Sequence, residues 1–308
     1  MTPTERLQRL PGNVRGALWL LLSSLLVSVM ALAAKLLGTT LVVADQTLGE
    51  ALPAWQITFF RAFATLVVVT PFFLRHGRRV FTSSRPFMAV VRGCLGAAGM
   101  LCNFYGLIHL PLATAISIQF SRPLFLLVMA GIFLGEVITR RRGLVTVTGF
   151  AGVLVIVRPG IDMDPAALVV VLGALLLAAS IILLRILART DDTVCLLFYS
   201  GVAGTLFTLV PAMLAWQWPS LAQWGLIAMM CIFGVAGQSC FMKGYAAGEA
   251  SAVAPFDYSR LLFATAWGYW VFAELPDAAT WFGAGILLAA TWYALRLQQH
   301  ESRAQPNR

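Results

Sequence analysis

Two arginines stand apart from their surroundings. Arg122 follows Ser121 in "FSRPLFLLVMAGIFLGE" (120–136), and Arg260 follows Ser259 in "YSRLLFATAWGYWVFAE" (258–274). Each is the single basic residue of an apolar run, and the two runs lie 138 positions apart. A guanidinium keeps its charge and presents N–H donors in a planar fork, so its chemistry is the holding of carboxylates or phosphates. Asp257 precedes Arg260 by three residues and Gln119 precedes Arg122 by three, which on a helix puts each pair on one face. Asp257 reads either as a structural partner that lets Arg260 be buried or as a clamp on a substrate or coupling ion. An adjacent arginine favours its ionised form. Tyr258, Asn103, Tyr105 and Gln238 add hydroxyl and amide groups for a ligand, although each alone also suits a helix–helix contact in a membrane.

The elements that must position these groups follow from composition. Of 308 residues, 59% are hydrophobic and 11% charged, less than half the roughly 25% charge of a soluble domain. Lipid is the solvent such a chain fits. A membrane span needs about 20 mostly apolar residues. Breaks at Pro, Gly and charge clusters give ten spans, near 14–37, 54–74, 86–108, 113–135, 143–158, 166–187, 193–214, 221–243, 250–272 and 279–297. Alternate connecting segments, with the two ends, collect sixteen Lys and Arg; the others hold one, Arg158. This bias predicts a multi-pass membrane protein with cytoplasmic termini, tails 1–13 and 298–308.

Five basic residues remain inside the spans: Lys35, Arg61, Arg92, Arg122 and Arg260. Lys35 is close enough to a helix end to snorkel. Arg61 and Arg92 lie shallower than the Ser-Arg pair. Arg122 and Arg260 are about 14–15 Å deep at 1.5 Å per residue, where an arginine costs about 2.5–3.5 kcal/mol even on the mild insertion scale. Each must face a wet or protein-lined interior.

A shift of 138 superposes Gly99 on Gly237, Cys102 on Cys240, Gly106 on Gly244, Ser121–Arg122 on Ser259–Arg260, and Glu136 on Glu274. Each copy holds five spans, 14–158 and 166–297. Five is odd, so the second copy enters the membrane upside down. Inverted repeats about an axis in the membrane plane are transporter architecture. The expected fold is an all-α membrane protein whose two inverted five-helix repeats surround a central cavity, with both arginines brought to one site. Pro123 and Pro255 are expected to kink the fourth and ninth spans and free carbonyls there. "GFAG" (149–152) and "GAG" (283–285) make the fifth and tenth helices peripheral supports or a homodimer surface.

Other classes fit poorly. His76, His109 and His300 lie in loops or tails, and Asp257 is the one mid-span carboxylate, so metal or hydrolytic chemistry lacks its groups and no cofactor is expected. The five cysteines form no CxxC pair. A basic patch with interleaved aromatics is missing, which argues against nucleic acid. A receptor or scaffold would not need matched mid-depth arginines.

"YGLIHLPLATAISIQFSRPLFLLVMAGIFLGE" with "GFAGVLVIVRPG", and "ASAVAPFDYSRLLFATAWGYWVFAELPD" in the second half, resemble the EamA-type branch of the drug/metabolite transporter superfamily. The resemblance covers essentially the whole chain. It implies ten helices, a cavity walled by the first four helices of each half, and alternating access for small organic metabolites. Within the family, "TFFRAFATLVVV", "SSRPFMAVVRG" and "LLFYSGV" most resemble S-adenosylmethionine uptake transporters, with relatives proposed to carry riboflavin. That resemblance places Arg61, Arg92, Phe198 and Tyr199 at cavity-facing positions. The repeats pair Arg61 with Tyr199 and Arg92 with Met230, so the first-half wall is the more cationic and favours a ligand bearing carboxylate or phosphate. The expected function is a secondary or exchange transporter of a small polar or zwitterionic metabolite. Export of amino acids or amphipathic drugs in the same fold is the alternative, and a coupling proton or counter-substrate is left open.

Overall fold

A computed structural model describes residues 12–43, 46–76, 83–135, 140–158, 164–191, 193–247 and 254–304. The helices are α1 (Gly12–Leu37), α2 (Ala54–His76), α3 (Pro86–His109), α4 (Leu112–Gln119), α5 (Arg122–Leu134), α6 (Arg140–Val157), α7 (Pro165–Leu187), α8 (Thr193–Leu214), α9 (Leu221–Ala247), α10 (Ser259–Phe272) and α11 (Ala278–Ala304). A 3-10 turn, Ala254–Tyr258, leads into α10. One small addition to the all-α expectation is an antiparallel hairpin, β1 (Leu41–Val43) and β2 (Gln46–Gly49), in the loop after α1.

Among the described residues, six helical stretches are long and apolar enough to cross a membrane: Gly12–Leu37, Pro86–His109, Leu112–Leu134, Pro165–Leu187, Cys195–Leu214 and Leu221–Gly244. Ala54–Val68, Val147–Val157 and Ala278–Ala290 are shorter apolar helices. The ninth span joins α10, about 21 Å long, to the 3-10 turn, about 10 Å, and together they match a hydrocarbon core of about 30 Å. Outward faces are apolar, as lipid requires: Leu206, Val210, Met213 and Leu214 are exposed on α8, and Leu144, Val147 and Leu154 on α6.

Local chemistry sets the ends. Asp164 caps α7 by accepting from the Ala166 N–H at 2.8 Å, with Pro165 at the first position where its missing N–H costs nothing. Pro86 opens α3 in the same way. The fourth span is not one kinked helix. Its ladder stops at Phe120–Ser121 and restarts at Arg122, so Pro123 sits in a first turn where it disturbs nothing. The ninth span changes helix type at the matching place. Both restarted helices end on a left-handed residue 138 positions apart, Gly135 (φ 67) and Ala273 (φ 54).

The main packing pairs are α1 with α9, α3 with α7, α2 with α8, α6 with α11, and α4 with α10. Counted as spans, these are first with eighth, third with sixth, second with seventh, fifth with tenth, and fourth with ninth. Exchanging the two halves leaves the set unchanged, as a twofold relation between them requires. Bare backbone makes the closest crossings. A methyl on Gly99 would stand 2.9 Å from the Gly173 carbonyl oxygen, and one on Gly152 would stand 2.9 Å from that of Gly283. Gly152 of "GFAG" and Gly283 of "GAG" therefore face each other within the chain.

Polar ties join the halves at the arginine-poor end. Gln56 Nε2 donates to the Gln217 carbonyl (2.6 Å), Gln223 Nε2 to that of Glu50 (2.6 Å), and the hydroxyls of Thr114 and Thr280 are 3.3 Å apart. The fourth and ninth spans pack through α4 and α10, the parts nearest that end; α5 and the 3-10 turn make no comparable contact among the described residues. At the arginine-rich end, Asp191 accepts from the hydroxyls of Ser83 and Ser84 and from the Ser84 N–H (3.0 Å).

Candidate functional site

The break in the fourth span and the start of α10 meet. Phe120 and Tyr258 occupy equivalent positions in the repeat, and their rings touch edge to face, centroids 5.3 Å apart at 77°. Equivalent residues of the two copies thus touch each other at this junction. The Arg260 guanidinium stacks over the Phe120 ring, 5.1 Å from its centroid, a cation–π contact that tethers the charge while leaving its N–H groups for a ligand. Its Nε is buried with no hydrogen-bond partner among the described residues. Arg122 is half-buried and opens α5 two residues after Phe120. Two half-helices thus begin within two residues of this ring contact, and helix N-termini carry partial positive charge.

Serines of α1 hold this junction. Ser24 donates to the carbonyl oxygens of Asp257 (3.1 Å) and Phe256 (3.3 Å), and Ser28 accepts from the Trp267 indole N–H at 3.1 Å. Sequence reasoning passed over Phe120 and these serines. Phe120 carried a signal, because it is the repeat partner of Tyr258.

Gln119, Arg122, Asp257, Tyr258 and Arg260 are therefore gathered where the halves join, by chain position and by the ring contacts. The Asp257–Arg260 ion pair is not formed: among the described residues the Asp257 carboxylate makes no ion pair or hydrogen bond. Asp257 belongs to the 3-10 turn and Arg260 to the α-helix after it, so the three-residue spacing does not align them.

The remaining candidates lie elsewhere. Arg61 rests on the bare backbone of α9, where a methyl on Gly234 would stand 2.7 Å from its Nε; that Nε also lacks a partner among the described residues. Arg92 reaches from α3 to α8, donating to the Leu196 carbonyl (3.1 Å) and to the Ser200 hydroxyl. Tyr199 is close by, packed against the buried cluster of Ala89, Leu187 and Leu196, with Phe198 edge-on at 5.9 Å. Arg92 and Tyr199 thus form a second group nearer the arginine-rich end. Asn103 faces the α3–α7 crossing, its Oδ1 3.1 Å from where a Gly173 methyl would be. Tyr105 stacks on His109 (4.0 Å) and lines a cavity of about 460 Å³ with Trp55, Cys102 and Gln217 at the arginine-poor end. Gln238 is exposed on α9. Tyr269 and Trp270, 53% and 71% exposed, fit an interfacial belt rather than a pocket.

Lys35 does not snorkel. It is 4% exposed, donates to the Leu110 carbonyl at 2.8 Å, and forms an ion pair with Glu274, whose other oxygen accepts from the Leu112 N–H at 2.9 Å. Glu136, the repeat partner of Glu274, lies outside the described residues. At the same end, hydrogen bonds from Thr280, with Arg158 alongside, hold the Asp277 carboxyl below the usual carboxylate range.

Apolar helices paired across two halves, with a charged junction between them, define a multi-span membrane fold. The profile of the EamA-like transporter family matches residues 14–158 and 164–296, and the chain belongs to that family. It is a multi-pass membrane protein. It is 34% identical over 257 residues (82% of this chain, 86% of the relative) to an S-adenosylmethionine uptake transporter of Rickettsia felis. It is 30% identical over 255 residues (79% and 86%) to the pseudopaline exporter CntI of Pseudomonas aeruginosa. A solved crystal structure shares the fold at a TM-score of 0.61 and 18% identity, covering 92% of this chain and 98% of that one.

Proposed function

We propose that this chain is a secondary transporter that moves a small polar or zwitterionic metabolite across the bacterial cytoplasmic membrane by alternating access. Arg122 and Arg260 bind its anionic group, with Gln119, Asp257 and Tyr258 around them. The observation that carries this reading is the contact of Phe120 with Tyr258 and Arg260. Phe120 and Tyr258 are repeat equivalents, so their contact brings the two Ser-Arg segments together, and the Arg260 guanidinium stacks on that junction. In this reading the repeats are inverted, the arginine-rich end and both termini are cytoplasmic, and Arg61 and Arg92 add positive potential along the path. The substrate preferred on similarity is S-adenosylmethionine or a compound of like chemistry, whose carboxylate suits the arginines and whose positive centre suits the uncompensated Asp257. The name of the Pseudomonas relative favours export as the second reading of direction. A homodimer, if formed, would use the outward faces of α6 and α11, since their small residues pack on each other.

The test is a thermal-shift screen of purified protein against S-adenosylmethionine, amino acids, flavins and nucleotides, followed by counterflow in liposomes. A native-state ligand raises the melting temperature by mass action. Arg122→Ala and Arg260→Ala should each weaken binding roughly 10- to 100-fold, the worth of a charged hydrogen bond. Unchanged counterflow in both variants would remove them from the site.

A further inference from the structure

The ion pair of buried Lys35 with partly exposed Glu274 joins three elements at the arginine-poor end. Lys35 belongs to the last turn of α1, Leu110 and Leu112 flank Pro111 between α3 and α4, and Glu274 follows α10. The lysine ammonium also lies 4.8 Å over the Phe272 ring. Ala273 aims the carboxylate: its left-handed turn sends the Glu274 N–H back to the Gly268 carbonyl at 3.0 Å and the side chain inward. An ammonium removed from water is held only while its partners stay bonded, so the contacts of Lys35 form or break together.

The pair stands across a path. The Leu112 Cβ is 3.7 Å from where a Gly268 methyl would be, and α4 packs on α10 between the Phe120–Tyr258 junction and the arginine-poor end. A solute held at that junction can leave on this side only if α4 and α10 part, which draws Leu112 away from Glu274. The repeat does not copy the device. Position 136 matches the glutamate, but Lys35 corresponds to Gly173, where an added methyl would already stand 2.8 Å from the Cys102 Cβ. No lysine fits there.

We propose that Lys35 and Glu274 form a gate latch for the arginine-poor end, made in the conformation described and broken when that end opens. The other end lacks this lysine, so the latch makes closure at the arginine-poor end the resting state. The proposal rests on the alternating-access reading but concerns which end opens rather than what is carried.

The experiment places one reporter thiol, Gln119→Cys, at the junction in a chain whose five native cysteines are replaced. Its reaction with a membrane-impermeant maleimide is then followed from the arginine-poor side. With the latch intact, labelling is slow. Glu274→Gln, which keeps the bond to Leu112 but removes the charge, should accelerate it about tenfold or more. Lys35→Met should act in the same direction. The reversed pair, Lys35→Glu with Glu274→Lys, should slow it again. Monodisperse protein in which Glu274→Gln and Lys35→Met both label at the unaltered rate would overturn the latch, as would failure of the reversed pair to restore slow labelling. Counterflow of S-adenosylmethionine is read in parallel on the chain with Gln119 and the native cysteines in place: labelling that follows the latch while that chain shows no counterflow keeps the gate and discards the carried solute.

Discussion

The two halves share a backbone plan and differ in where they put charge. Each has a span that restarts at a Ser-Arg pair and ends on a left-handed residue, and each lends the same partners to the other. The first half carries Lys35, Arg61 and Arg92, whereas the matching positions of the second are Gly173, Tyr199 and Met230. In the transport reading proposed above, the shared parts are what alternating access would need twice, a break in a span and a cation beside it. In that same reading the unshared parts set which end closes and which wall attracts the ligand.

That contrast can be broken in order of expected effect. The helix crossings come first, because both halves depend on them. Gly99→Leu drives a side chain into the Gly173 carbonyl, 2.9 Å from the first added carbon, and should cost about 1–3 kcal/mol or prevent assembly; the melting temperature in detergent reads this. Gly285→Leu, where nothing lies within 4 Å of an added methyl, should leave it nearly unaltered. Next are the two left-handed caps. Gly135→Ala should destabilise by about 1 kcal/mol and Ala273→Gly should stabilise by a similar amount, since L-residues strain at positive φ. If thermal unfolding moves both variants the same way, the caps are not equivalent.

Smallest is the clasp of Asp191 on Ser83 and Ser84. Burial is the largest single influence and opposes the charged form, but the hydrogen bonds from Ser83, Ser84 and Thr190 together outweigh it and hold the folded carboxyl below its ordinary value. A depressed folded pKa gives stability that is present above the unfolded value, about 4, and lost as pH falls through the folded one. Asp191→Asn should therefore lower the melting temperature slightly at pH 7, by less than about 1 kcal/mol for so exposed a group, and less at pH 3. An equal loss at both values would show that charge plays no part.

Span number and order were legible because bilayer thickness imposes a length on every helix, and an offset of 138 survives in the sequence. The break at Phe120–Ser121 was half legible: Pro123 announced a disturbance, but the same residue suits a first turn as well as a kink. The Asp257–Arg260 pair misled because a spacing of three has meaning only inside one helix type, and the chain changes type between them. Lys35 misled more deeply. Depth from a helix end suggested snorkelling, while its partner Glu274 lies 239 residues away and no local pattern links them. Arg92 and Tyr199 came together near the arginine-rich end rather than at the junction because packing between α3 and α8 is a tertiary fact.

The central claim is that equivalent positions of the two halves meet at one axis beside Arg122 and Arg260. Phe120→Cys with Tyr258→Cys in the cysteine-replaced chain, treated with a short bifunctional thiol reagent, tests it most directly. The account predicts efficient cross-linking within one chain, slowed by any ligand that raises the melting temperature. Two thiols that each react singly but never cross-link in folded protein would contradict it.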